Sequence, residues 1–556
     1  MSPLSTLIRA ATAAPSSLTS LTKPVHTPEL CWRWRIHLAA VAVLVLSIIV
    51  CFLGLGQRDL WSSHEARAAQ DAVAVLEGEW LIPRLYDGRQ ELQKPPLYYW
   101  LVVLTSRFLD RPVDAFTVRL PAALSAVAIA LTLLTIGYLA GKPMAGIFAV
   151  GALMLMPHFV WLAHVGRVDL PLTASFSIAL AAWWIATRNC YERWLRYPAL
   201  TVLSLSLAAG LLLKGPIALV LFVLVTGSDL VAEMLAKYRG KSRCFSFRIR
   251  SPIFPEPAAI MLILLSVAPA LAWYIAANEA TAGQWVREFI YRHNLARGLG
   301  GDSQLDRHAH WLGPAFYLVQ LPLLMGPIVF LIPWLGYLQA REFRADNLLR
   351  LSLSWCLMPL LFLSLMRYKR VDYLLPAYPG LALFVGGGLA KYLESVAAKY
   401  RRRCYIVSAV SLTAGATIWA AYVTWGIPLL DAVRQQRTFA RLVREYVPDG
   451  PVMMYGTEAH LLSYHVGKPI ARTFKAEEIW QWLARKGAGK YVVATARGYH
   501  QLAQASQDYY DWQVVATSSR PELSRRLKWL RLEQEEPLVL LRALPRRVSG
   551  NSRDQN

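Results

Sequence analysis

The sequence is short of cysteine: six occur in 556 residues, at positions 31, 51, 190, 244, 356 and 404. Cys31, Cys51, Cys190, Cys244, Cys356 and Cys404 show no metal-ligand spacing, which excludes zinc ribbons and fingers. On the topology argued below they fall in apolar spans or on the cytoplasmic side, so no structural disulfide is expected. Acidic residues are also scarce, 36 against 59 Lys and Arg, giving a net charge of +23. No basic and aromatic module stands outside the apolar runs, so a nucleic-acid partner is not expected. No long-period repeat occurs, which excludes a solenoid. The polar, Ser/Thr/Pro/Ala-rich residues 1–34 are expected to be a disordered cytoplasmic tail. They are not expected to be a signal peptide, because the first apolar run begins too late and no cleavage site follows it.

Long apolar runs are abundant, and 55% of the residues are hydrophobic. Runs of about 20 residues mark a polytopic α-helical membrane protein. Candidate spans are Leu38–Gly56, Leu120–Ala140, Ala145–His164, Pro171–Ala186, Pro198–Leu213 and Pro216–Ala236. Further ones are Ala258–Ala277, Pro314–Leu338, Leu349–Met366, Leu374–Leu393 and Tyr405–Gly426. Arg33 and Arg35 precede the first and hold the N-terminus in the cytoplasm. Pro95–Leu109 is short for a crossing. If it crossed, the basic loops at 188–196, 237–250, 341–350 and 399–403 would all move outside, so it is read as re-entrant or interfacial. About eleven crossings result, with residues 427–556 outside. That segment carries strand-like runs at 452–456, 490–495, 512–517 and 538–544, and amphipathic helical stretches near 432–446 and 475–486. It reads as a small external α/β domain.

This topology gathers charged residues on the outer face. The first outer loop, 57–119, opens on His64, Glu65 and Arg67 at the start of an amphipathic helix, Glu65 to Glu77. Lys94 follows before Pro95 and Pro96, whose rings favour an extended approach that presents the ammonium. Asp169 in GRVDLP, Lys214 in LLLKGP, and Lys369, Asp372 and Tyr373 in MRYKRVDYLLP stand at outer span ends. The outer loop after Glu279 adds Arg292, His293, Arg297, His308 and His310, with glycines that suit a lid. The bland alternatives are a wet interfacial helix for His64 and Glu65, a snorkelling anchor for Lys94, and a local Arg167–Asp169 pair. The histidines could ligate a metal, but nothing like HExxH is present and no metal or cofactor is expected.

HEARAAQ, QKPPLYYWL, GRVDLP, LLLKGP, HNLAR and YKRVDYLLPAYPGLAL occur in an order and spacing that resembles the bacterial GT-C glycosyltransferases. The resemblance covers about Arg35 to Leu393 and is strongest to lipid A aminoarabinose transferases and protein O-mannosyltransferases. It implies a membrane catalytic domain over residues 35–426 and a polyprenyl-phosphate sugar donor. The acceptor would be a lipid, glycan or protein hydroxyl on the periplasmic face of the inner membrane. Carried over by position, Arg67, Lys94, Lys214 and Lys369 would surround the donor phosphate, with Tyr373 beside them and Asp169 near the acceptor. The family pattern has Asp-Glu where this chain has His64-Glu65, so His64, Glu65 and Asp169 all stand as candidate bases. Gln93 replaces the acidic residue usual before the lysine. The rival reading is a transporter or flippase of lipid-linked sugars, which would place its site mid-membrane and show repeat symmetry.

Overall fold

The computed structural model describes residues 28–187, 193–238, 257–300, 313–434, 436–485, 490–505, 510–518 and 537–545. His308 and His310, the expected tail over 1–27, the basic stretches at 188–192 and 239–256, and Cys190 and Cys244 lie outside those residues.

The architecture is helical, with one small sheet near the C-terminus. Nine described helices are long and apolar enough to cross a membrane, or ten if one bent pair counts as a span; among the described residues the expected eleven crossings are not confirmed. The bent pair falls where one straight span was expected, at 145–164. Pro143–Met154 and Pro157–Ala163 diverge by 77°. Pro157 explains the break, since it has no N–H to donate and its ring clashes with the preceding turn. The Leu97–Phe108 helix has 12 residues and is not among the spans. At 1.5 Å per residue it reaches about 18 Å, well short of a hydrocarbon core.

The first loop folds back on itself. Ser62 caps the Ser63–Leu76 helix, its Oγ accepting from the Glu65 amide at 3.2 Å. The alanine-rich face of this helix (Ala66, Ala69, Ala72) packs with Tyr98, Tyr99 and Val102 of the Leu97–Phe108 helix in one buried cluster. Small residues on one side and aromatic ones on the other allow a close approach. The Tyr98 hydroxyl closes the contact by donating to the Val118 carbonyl at 2.7 Å. Deeper in the bundle, Gly386 of the Tyr378–Ser395 helix meets the Pro143–Met154 helix so closely that a Cβ would lie 2.2 Å from the Ala145 carbonyl oxygen.

The C-terminal region carries a mixed five-stranded sheet in the order β2-β1-β3-β5-β4. Its strands are β1 (Val452–Tyr455), β2 (Ala471–Thr473), β3 (Tyr491–Thr495), β4 (Tyr510–Thr517) and β5 (Leu538–Pro545). β1 is parallel to β2 and β3, and β5 is antiparallel to β3 and β4. Helices Gln436–Tyr446, His460–Val466, Ala476–Ala484 and Ala496–Ala505 accompany it. This region docks onto the first loop. Arg437 and His465 both reach the Asp59 carboxylate, at 3.0 and 3.1 Å. Gln70 donates to the His460 carbonyl at 2.7 Å, and the Tyr464 hydroxyl to that of Val113 at 3.0 Å.

Candidate active site

Two carboxylate centres and one free cation define the site. The first centre is Glu65, fully buried. Its carboxylate accepts from both terminal nitrogens of Arg58 at 3.2 Å, from Nε of Arg119 at 2.7 Å, and from the amides of Gly166 and Trp61 at 3.0 and 3.3 Å. Burial alone would raise its pKa, but the Arg119 and Arg58 charges outweigh that and hold it well below the usual carboxylate range. The two arginines continue to backbone carbonyls: Arg58 to His164, Arg119 to Leu55, Arg58 and Asp59. Of the three candidate bases, Glu65 is thus the one bound on every side. Its surroundings weld the end of the first span to the loop after Ala163.

The second centre is a chain of alternating charges across three segments. Lys214, at the end of its helix, places Nζ 2.6 Å from Oδ1 of buried Asp169. Arg167 bridges Asp169, at 3.2 Å, to Asp372. Asp372 also receives His158 at 3.3 Å and Arg370 at 3.4 Å. Arg370 reaches onward to Nε2 of His64 at 3.2 Å. Tyr373 lies under the Lys214 ammonium, 4.3 Å from ring centroid to Nζ. Burial first, then the charges of Lys94, Arg167, Arg370 and Arg67, push the His64 pKa down to about 2, so the imidazole is neutral.

Lys94 is the free cation. Arg67 beside it is engaged by Glu91 and by Gln93 at 3.0 Å, whereas Lys94 makes no hydrogen bond or ion pair with any described residue. Burial and then the Arg67 charge lower its pKa to about 8. His293, on the π-helical segment Val286–Ala296, feels both Lys94 and Arg67; burial and then Arg297 lower its pKa to about 3. Arg297 stacks over Tyr368 at 5.3 Å and leaves its buried Nε unpartnered among the described residues. Arg292 is more exposed and pairs with Glu288 at 3.4 Å.

The structure therefore brings His64, Arg67, Lys94, Asp169, Lys214, Tyr373 and His293 into one electrostatic neighbourhood. Lys369 does not join them by contact, since its Nζ is spent on the Met366 carbonyl. Arg58, Arg119, Glu91, His158 and Arg370 escaped the sequence reading as site residues. Among the described residues, no group of three or more His, Cys, Asp and Glu is placed to hold a metal ion.

The profile of the family described as dolichyl-phosphate-mannose-protein mannosyltransferase matches residues 38–286. The fold aligns with ArnT from Cupriavidus metallidurans bound to undecaprenyl phosphate at a TM-score of 0.66 and 16% identity, over 90% of this chain and 97% of that one. With the apo form the TM-score is 0.68 at 17% identity, over 92% and 98%. The match to that family over residues 38–286 and the likeness of fold to ArnT agree with the resemblance read from the motifs. A similar protein, the undecaprenyl phosphate-alpha-4-amino-4-deoxy-L-arabinose arabinosyl transferase 2 of Pseudomonas fluorescens (strain Pf0-1), is 29% identical over 371 residues. That match spans 65% of this chain and about 61% of the relative's length. With its nine described helices long and apolar enough to cross a membrane and this likeness of fold, the chain is a multi-pass membrane protein.

Proposed function

We propose that this chain is a glycosyltransferase that moves a sugar from a polyprenyl-phosphate donor to an acceptor hydroxyl at the periplasmic face of the inner membrane. The observation that carries the reading is Lys94. It is a cation with no hydrogen bond or close ion pair among the described residues, near Arg67 and Arg167 as well as the more distant charges of Glu91 and Asp169, just ahead of the short helix that follows Pro95 and Pro96. A phosphate is the group such a site lacks. ArnT from C. metallidurans, of the same fold, binds undecaprenyl phosphate, which supports that choice.

In the reaction the acceptor oxygen attacks the anomeric carbon while the bond from that carbon to the phosphate oxygen breaks. The bonding pair stays on the phosphate, whose charge rises. Lys94 and the neighbouring guanidiniums then gain more attraction in the transition state than in the bound donor, and that difference accelerates the step. Asp169 is the carboxylate best supported to take the acceptor proton. Each of its oxygens meets one cationic side chain, Lys214 or Arg167, which leaves a lone pair on each, unlike Glu65. The loop charges support an outer-side location for these groups.

The test is transfer by the purified, detergent- or nanodisc-held protein from a panel of undecaprenyl-phosphate sugars, with products read by mass spectrometry. Transfer from at least one donor is expected, with Lys94→Ala slowed roughly 10- to 150-fold, as for a lost charge-assisted contact. Full activity in Lys94→Ala, or no transfer from any donor by folded protein, overturns the proposal.

A further inference from the structure

His64 is the neighbour of Lys94 whose two ring nitrogens have unequal fates. A guanidinium can only donate, so the contact from Arg370 at 3.2 Å makes Nε2 an acceptor. In a neutral imidazole the proton then sits on Nδ1. That Nδ1 is buried and has no hydrogen-bond partner among the described residues. A buried N–H without an acceptor costs free energy, so this one is suited to an incoming oxygen. The charges that act most strongly on His64 are cationic, Lys94, Arg167, Arg370 and Arg67, with the Asp372 carboxylate set behind Arg167 and Arg370. They resist a positive imidazolium and favour an anionic oxygen in front of the ring.

We propose that His64 is a fixed hydrogen-bond donor, presenting Nδ1–H to a phosphate oxygen of the lipid donor beside Lys94, and is not the base. This rests on the phosphate-dependent reading above and adds a direction to it. Lys94 supplies charge, His64 supplies orientation, and Arg370 locks the tautomer by occupying Nε2. The proton of the acceptor hydroxyl has no route to His64, because the only lone pair on the ring is already taken.

Two measurements test it. In protein labelled with ¹⁵N-histidine, the His64 signal is identified by its loss in His64→Asn. It should show the Nδ1–H neutral tautomer, without titration between pH 8 and 5. The Nε2–H tautomer, or protonation near pH 6.5, overturns the inference whatever the variants do. The second measurement is binding of short-chain polyprenyl phosphate without a sugar. His64→Asn keeps an N–H near the Nδ1 position and should bind within about threefold of wild type. His64→Ala should bind about 5- to 10-fold more weakly, in line with one lost hydrogen bond. His64→Asp sets a carboxylate against the phosphate and should be weakest of the three. Binding by His64→Asp equal to or tighter than by His64→Asn reverses the donor assignment. Failure of the wild type to bind polyprenyl phosphate counts instead against the phosphate reading itself, while the tautomer measurement still decides the state of the ring.

Discussion

Lys214 and Asp169 lie 45 residues apart in sequence and 2.6 Å apart in space, at the end of one apolar helix and the start of another. Neither charge has an independent place there. Lys214→Met leaves Asp169 to Arg167 alone, and Asp169→Asn leaves the ammonium on the face of Tyr373. Each variant is expected to lower the transfer rate by at least tenfold. The double variant should lose clearly less than the two losses combined, because both remove the same pair. Additive losses would mean that the two residues act separately.

Lys94 is expected to set an alkaline limit. With its pKa near 8 in the empty protein, kcat/KM should be level below pH 7 and fall as pH rises through 8, as the ammonium loses its proton. Lys94→Arg keeps a charge at every accessible pH and should abolish that limb while retaining part of the rate. A limb that persists in Lys94→Arg belongs to another group. The same shift has a stability sign. The folded pKa lies below the unfolded value near 10.4, so charging Lys94 opposes folding, fully so below pH 8. Lys94→Met is therefore expected to melt no lower than the wild type at pH 7.

Glu65 variants should fail for another reason. Removing its charge leaves Arg58 and Arg119 buried without an anion, and loss of one partner from a buried pair costs about 3–5 kcal/mol. Glu65→Gln is expected to give little monodisperse protein in fluorescence-detected gel filtration. The stabilisation Glu65 brings is present above the unfolded carboxylate pKa and is lost as pH falls through its lower folded value. A well-folded but inactive Glu65→Gln would return Glu65 to the list of bases.

The close helix contact at Gly386 gives a packing test away from the site. Gly386→Ala must push back the Ala145 carbonyl and the Ala149 amide, and is expected to cost about 1–3 kcal/mol. Gly227, also helical, has open space where a Cβ would go. Gly227→Ala should be neutral or stabilising by up to about 1 kcal/mol. Thermal shifts of the two variants compare directly.

Much of this was legible in the residues. Asp169 and Lys214 announce themselves as charges at the ends of apolar runs, where an ion needs a partner, and Lys94 is set off by two prolines. Four of the five strands follow from runs of β-branched and aromatic residues; β2 escapes because three residues carry no periodicity. The role of Glu65 was not legible, because it lies in Arg58 and Arg119, 7 and 54 positions away, and pairing across such distances leaves no local pattern. His64 was equally silent. Its state is set by Arg370, 306 residues downstream. The bend at Pro157 was hidden by apolar residues on both sides, which keep hydropathy high through a broken helix.

The clasp between Gln70 and the His460 carbonyl joins residues 390 positions apart. On the ribosome, at about 5–20 residues per second, the loop that carries His64 and Lys94 emerges roughly 20–80 s before its clasp exists. During that interval Asp59, Gln70 and Val113 wait without the groups that will cover them. A chain that stalls before His460 has its lipid-facing helices and all the proposed phosphate ligands, yet the first loop is held from one side only. For the proposed activity, a membrane-inserted chain truncated before His460 is therefore not expected to consume donor.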